Sequence, residues 1–317
     1  MKVLVTGSAG FIGFHTSKAL LERGDQVVGV DNFNKYYNKK LKEDRNKILE
    51  EYNNFSLYRG DIKNLNFVKK VFKEDIDKVC HLAAQAGVRY SLENPHVYIQ
   101  SNVVGFTNLI EQAKENNVDN FVYASSSSIY GNNDKVPFSE KDRVDQPISL
   151  YAASKKADEL IAYTYNHLYN LNCIGLRYFT VIGPWSRPDM ALYKFTKLID
   201  KEKEIDVYNY GKMKRDFTYI DDIVDGTLSA LDKSFSYEIF NLGNNKPIKL
   251  GKFINYIEEG LGKKAKKNMV DKPKGDMEVT YAKIKKAKEK LNYSPDTDVK
   301  TAVNKFIKWY KNYSWKF

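Results

Sequence analysis

Gly7-Ser8-Ala9-Gly10-Phe11-Ile12-Gly13 is the stretch on which the fold turns. The apolar run Val3-Leu4-Val5 precedes it and reads as a strand. Thr16 to Arg23 follows with helical spacing and stops at Gly24, a helix C-terminal signal. At such a strand-to-helix turn Gly7 permits a tight bend, Gly10 lets backbone approach a pyrophosphate, and Gly13 lets helix and sheet pack closely. The first helical turn, with Phe11 and Ile12, then presents free N–H groups and a positive dipole end to phosphate. An ordinary turn would also use glycine, so the motif needs context. Val27-Val28-Gly29-Val30 supplies it, running into Asp31 near the ~20-residue offset of a ribose-binding carboxylate. Asp31 there would accept from the adenosine ribose hydroxyls and repel a 2′-phosphate, which favours NAD over NADP. Asn32 is expected beside it, and Lys35 is a nearby cation that would soften the preference.

Working outward, short apolar runs alternate with amphipathic ones. Phe55-Ser56-Leu57-Tyr58, Lys78 to Ala83, Phe121 to Ala124 and Cys173 to Tyr178 read as strands. Phe67 to Phe72, a long stretch from Pro95 to Glu115, and Tyr151 to Tyr169 read as helices. Strand and helix in alternation, without hairpin signals, predict an α/β fold with a doubly wound parallel (Rossmann) sheet over residues 1–178. Right-handed crossovers bring the strand carboxyl ends to one edge, where ligands bind. Leu82, Ala83 and Ala84 end the fourth strand and leave room there. Asp61 with Ile62 is placed at the adenine edge, a surface turn being the alternative for Asp61. Tyr178 closes the sixth strand at the same edge. Beyond it Pro184, Pro188, Pro247, Pro273 and Pro295 interrupt the pattern. Residues 179–317 are therefore expected to form a smaller mixed α/β substrate-binding lobe, some segments returning to the first domain.

Composition narrows the function. No stretch of the 317 residues is apolar for long enough to span a bilayer. Met1 to Gly7 runs straight into a strand, without a signal peptide, so a cytoplasmic location is expected. The two cysteines, Cys80 and Cys173, form no CxxC pair, and neither a metal site nor a disulfide is expected. The formal charge is +11, from 51 Lys and Arg against 40 Asp and Glu. The lysines are scattered, and the densest run, Lys263 to Lys267, reads as a solvated loop. Nucleic acid is not an expected partner.

Tyr151 and Lys155 form a Tyr-x-x-x-Lys pair, a spacing that puts both side chains on one helix face. Tyrosine is a poor base near neutrality, with a free pKa of roughly 10. A neighbouring ammonium and a positive nicotinamide ring both favour the phenolate, which would remove a hydroxyl proton while hydride leaves the same carbon. Such a pair is a weak signal in a chain with 23 tyrosines. It is strengthened by Ala124-Ser125-Ser126-Ser127-Ser128-Ile129-Tyr130-Gly131, which brings hydroxyls to the end of the fifth strand, where the sheet places its ligand.

The glycine motif, the serine run before Tyr130-Gly131, and Tyr151 with Lys155 together resemble the extended short-chain dehydrogenase/reductase family. The resemblance extends through Arg215 to Asp222 and Phe240 to Gly243. Within it, Asp31 to Tyr37, Ala84 to Ser91 and Arg177 to Trp185 are most similar to UDP-glucuronate 4-epimerases. The resemblance implies a UDP-sugar substrate, a homodimer built on the Pro95–Glu115 and Tyr151–Tyr169 regions, and roles by position. Ser126 would bridge sugar and Tyr151, the base and then acid, while Lys155 would hold the nicotinamide ribose. Ser127, Ser128, Thr180 and Arg187 would face the uronate, Thr180 and Arg187 meeting its carboxylate. For Arg187 a surface position in a proline-rich loop is the alternative. Arg89, Arg215 and Asp276 would contact phosphate or uridine. Ala153, Ile182 and Ser186 depart from the family pattern near the sugar pocket.

Oxidation at C4 of a uronate gives a β-keto acid that readily loses carbon dioxide, so an epimerase must hold the carboxylate out of line. Decarboxylase and 4,6-dehydratase relatives carry acids where Ser127 and Ser128 stand here. The residues thus point to a 4-epimerase of a UDP-uronate. A neutral UDP-hexose or N-acetylated uronate epimerase, a decarboxylase, and a non-catalytic NAD-binding protein remain open at this stage.

Overall fold

A computed structural model describes residues 1–272 and 277–313. Six strands come in the expected order: β1 (Lys2–Thr6), β2 (Gln26–Asp31), β3 (Phe55–Arg59), β4 (Lys78–His81), β5 (Asn120–Ser126) and β6 (Cys173–Tyr178). A seventh, Tyr237–Leu242, comes from the second half and pairs in parallel with β6. The sheet order is Tyr237–Leu242, β6, β5, β4, β1, β2, β3, every pair parallel. β1 is flanked by β2 on one side and β4 on the other. The connections reverse direction there, and the carboxyl ends of β1 and β4 open a crevice.

Both faces of the sheet are covered, so its strands are apolar on both sides. Val3 and Val5 pack into one core while Leu4, between them, packs into the other. β5 divides likewise, with Val122 on one face and Phe121 and Tyr123 on the opposite one. Helix α1 (Phe11–Glu22) leaves the crevice directly after the glycine turn.

Two helices differ from the sequence reading. Lys39–Leu49 had no apolar period to reveal it, because its inward face is Leu41, Lys42, Arg45, Asn46 and Leu49. Buried Arg45 donates to the carbonyls of Ala9 and Trp185, which takes the place of apolar packing. The long stretch from Pro95 to Glu115 divides into Pro95–Tyr98, a π-helical segment Ile99–Val104, and Gly105–Glu115. π-segments are frequent at functional sites.

The second lobe holds short strands and helices. Thr180–Ile182 pairs with Phe217–Tyr219, and Glu204–Tyr208 pairs with Lys266–Val270. The rings of Phe217 and Phe253 stack at 4.1 Å, fixing the Leu250–Leu261 helix on this layer. Among the described residues no helix is long and apolar enough to cross a membrane, and no cluster of His, Cys, Asp and Glu could hold a metal ion.

Candidate active site

A cavity of about 740 Å³ opens at the carboxyl edge of the sheet, between it and the second lobe. Its first wall is the glycine turn. Gly7 has φ +72°, and a Cβ on Gly13 would come 2.0 Å from the Gly7 carbonyl oxygen, so both positions require glycine. No side chain caps α1 and no acid lies in its first turn. Its N-terminus therefore faces the cavity with unsatisfied N–H groups, a suitable seat for a phosphate. Gly10, Phe11 and Ile12 line the same wall.

Asp31, buried at the end of β2, accepts from the Phe33 N–H at 2.7 Å. Asn32 and Asp61 lie beside it, linked by a 3.1 Å hydrogen bond, and Ile62 follows. Leu82, Ala83 and Ala84 continue from β4 beneath the cavity floor, and Tyr178 lines it from the end of β6. Glycine turn, open helix end and ribose-side carboxylate thus share one cavity, and these residues fit a dinucleotide.

At the other end Ser149 caps the Leu150–Tyr169 helix by accepting from the Ala152 N–H at 3.1 Å, which sets where Tyr151 enters. Tyr151 packs edge-on against Tyr98, with ring centroids 6.1 Å apart. Lys155, one turn on, is buried and donates from Nζ to Asp158 Oδ2 at 3.0 Å. Burial pushes the Asp158 carboxyl up to about 7, against the pull of the Lys155 ammonium. Burial and the same ammonium hold His81 well below its ordinary range, while its Nδ1 meets Thr6 Oγ1 at 2.7 Å. Ser126 accepts from the Ser128 N–H at 3.1 Å, and Ser127 to Tyr130 turn as a short 3₁₀ helix.

Of the remaining residues picked out in the sequence, Arg89, Ser127, Ser128, Thr180 and Arg187 all line this cavity. Arg215 is not among the lining residues. It sits on a short strand, Lys214–Arg215, and donates to the carbonyls of Lys214 and Glu278. Asp276 lies outside the described residues.

Sequence reasoning missed several groups. Asp158 looks in sequence like an exposed i,i+3 helix partner, yet it is fully buried against Lys155. Asn102, on the π-segment, bonds the backbone of Gln85 on both sides and donates to Ser154 at 2.9 Å, tying the loop after β4 to the Tyr151 helix. Lys42 approaches Asp31 to 3.7 Å, whereas Lys35 is exposed. Only the polar face of an unrecognised helix would have pointed to Lys42.

Residues 3–243 match the model of the NAD dependent epimerase/dehydratase family. The chain belongs to that family. As a member of it, the chain is closely related to UDP-glucuronate 4-epimerases. It is 50% identical to UDP-glucuronate 4-epimerase 4 of Arabidopsis thaliana, over 98% of this chain and 75% of that one. A UDP-glucuronic acid 4-epimerase from Bacillus cereus, solved with UDP-glucuronic acid and NAD, superposes with TM-score 0.92 at 35% identity, covering 98% of this chain and 99% of that one. A UDP-glucose 4-epimerase from Thermotoga maritima, solved with UDP-glucose, gives TM-score 0.89 at 28% identity over 98% and 99%. This family member therefore shares its whole architecture with epimerases of both charged and neutral sugars.

Proposed function

We propose that the protein interconverts UDP-glucuronate and UDP-galacturonate by NAD-dependent epimerisation at C4. The observation that carries this reading is the presence of Thr180 and Arg187 in the same cavity as Ser126, Tyr151 and Lys155. A hydroxyl and a guanidinium, the latter held by Asp189, thus line the cavity that also holds the residues suited to proton transfer. The 50% identity to a UDP-glucuronate 4-epimerase supports the same substrate.

The glycine turn, Asp31, Asn32, Asp61, Ile62, Leu82 to Ala84 and Tyr178 would hold NAD, which supplies a reversible hydride acceptor when bound. Tyr151 takes the O4 proton as hydride leaves C4 and returns it after the 4-keto sugar has presented its other face. Ser126 hydrogen-bonds the same oxygen, and Lys155 would hold the nicotinamide ribose. Thr180 and Arg187 keep the C6 carboxylate out of line with the C4 carbonyl, which suppresses loss of carbon dioxide. Ser127 and Ser128 offer no acid for elimination across C5–C6. Arg89, over the Tyr208 ring at 5.2 Å, is suited to the nucleotide phosphates.

One observation favours a neutral sugar instead: Arg187 is already paired with Asp189. Incubation with UDP-glucuronate or UDP-glucose, without added cofactor, separates the two readings. Galacturonate product supports ours, turnover of the neutral sugar alone overturns it, and release of carbon dioxide would indicate a decarboxylase. We also propose a homodimer. Leu160, Tyr163 and Leu168 are exposed apolar side chains on the Tyr151 helix, and Val97 and Ile99 are exposed in the Pro95–Val104 region. Solution molar mass tests this.

A further inference from the structure

The loop that carries Arg187 is held from behind the cavity. Trp185 lies in the left-handed region, with φ +63°, a conformation that costs a bulky residue energy and persists only where neighbours impose it. Those neighbours are identifiable. His15 Nε2 donates to the Pro184 carbonyl at 3.0 Å, and Arg45 Nη2 donates to the Trp185 carbonyl at 2.5 Å. The Trp185 ring packs against Phe14, Trp309 and Tyr313, with centroid distances of 5.6, 5.2 and 4.8 Å. Arg187, just beyond, then lines the cavity with Asp189.

Arg45 does more than bind one carbonyl. Its side chain is fully buried on the Lys39–Leu49 helix and is not among the groups that line the cavity. Nη1 donates to the Ala9 carbonyl at 2.8 Å, inside the glycine turn, and to the Tyr37 hydroxyl at 2.8 Å. One planar fork thus spans the turn after β1, the segment after β2 and the loop before Arg187. A charged hydrogen bond to a buried carbonyl is a strong tether, and its loss leaves that carbonyl unpaired. Tyr36, adjacent to Tyr37, donates to Asp189, which in turn holds Arg187. The position of Arg187 is thereby tied to Arg45 along two routes, through the Trp185 carbonyl and through the Tyr36–Tyr37 pair.

We propose that Arg45 is a positioning residue for sugar recognition: from outside the cavity it sets where the Arg187 guanidinium stands, and so how strongly a sugar acid is preferred to a neutral sugar. This assignment rests on reading Arg187 as the contact for the uronate carboxylate. A carboxylate matches a guanidinium fork only over a narrow range of position and angle. A shift of about 1 Å in the loop therefore weakens recognition of the acid, while a neutral sugar has no such match to lose.

The test is steady-state kinetics on the NAD-loaded full chain, measuring KM and kcat for UDP-glucuronate and the inhibition constant of UDP-glucose against it. Arg45→Met removes the fork and keeps an apolar chain in its place. It should raise KM about tenfold, with kcat, the UDP-glucose constant and NAD content each within about threefold of wild type. Arg45→Lys keeps the buried charge but offers one nitrogen in place of the fork, and should raise KM about threefold. An unchanged KM in Arg45→Met, including a loss confined to kcat, or equal losses for the two sugars, overturns the proposal and leaves the uronate reading standing. A wild type that turns over UDP-glucose alone, or neither sugar, removes both. If Arg45→Met does not fold, Arg45→Lys decides: a rise in KM for the acid alone supports the assignment, and an unchanged KM or a parallel rise overturns it.

Discussion

Arg187 is held by Asp189: Nε donates to Oδ1 at 3.0 Å and Nη2 donates to Oδ2. Tyr36 donates its hydroxyl to the same carboxylate at 3.2 Å, and burial beside that charge pushes the phenol up to about 12. An internal carboxylate thus occupies the guanidinium that a uronate would use. It fixes the fork in the cavity wall and balances its charge before any sugar arrives. Arg187→Ala should lower kcat/KM for UDP-glucuronate by roughly 30-fold or more, the loss of about 2 kcal/mol expected for a desolvated charge contact. UDP-glucose turnover, if present, should change far less. Product analysis of the same variant should show more carbon dioxide. Equal losses on both sugars would remove Arg187 from carboxylate recognition.

Tyr151→Phe should reduce turnover by ~10²–10⁴-fold, the range of a lost acid–base group. NAD content, measured by release from denatured protein, should remain at the wild-type level. Retained turnover would take the proton-transfer role away from Tyr151.

Glu159 bridges three elements from inside the protein. It accepts from Arg177 Nε at 2.8 Å and Nη2 at 2.9 Å on β6, and from Ser125 Oγ at 2.7 Å on β5, while it sits on the Tyr151 helix. Arg177 also donates to the Tyr130 hydroxyl at 3.0 Å. Glu159→Ala leaves a buried guanidinium uncompensated, which should destabilise the fold by ~3–5 kcal/mol. Denaturant unfolding measures this, and a loss below about 1 kcal/mol would contradict the assigned burial.

His15 predicts a pH dependence of stability. It lies between the rings of Phe11 and Phe14 and meets the Pro184 carbonyl at 3.0 Å. Burial, aided by Arg45 and Lys18, lowers it to about 4. The unfolded chain takes up a proton near pH 6.5, whereas the folded chain refuses it until much lower pH. Stability supplied by the neutral ring is therefore present above about 6.5 and lost as pH falls toward 4, by roughly 2 kcal/mol. His15→Gln should flatten the melting temperature between pH 7 and 5. A slope identical to wild type would show that another group controls it.

Legibility in the sequence followed chemistry that leaves a local pattern. The glycine turn, Asp31 and β1 to β6 each announce themselves by spacing or apolar runs. Thr180 and Arg187 were reached by resemblance, and the fold does bring them to the cavity that holds Tyr151. Lys39–Leu49 stayed hidden because its buried face is charged, and Lys42 was hidden with it. Asn102 faces inward on a π-segment that no 3.6-residue period describes. Tyr237–Leu242 carries no mark of the sheet it joins, since its partner lies some sixty residues earlier.

That late strand also governs how the protein can be made. Until it emerges from the ribosome, β6 presents a bare row of peptide groups from Cys173 to Tyr178. A fragment ending at residue 178 would keep the whole dinucleotide motif yet expose this sticky edge to other chains. Excising the nucleotide-binding half as an independent unit should therefore yield aggregates, and a truncation meant to isolate it must retain the segment through Leu242.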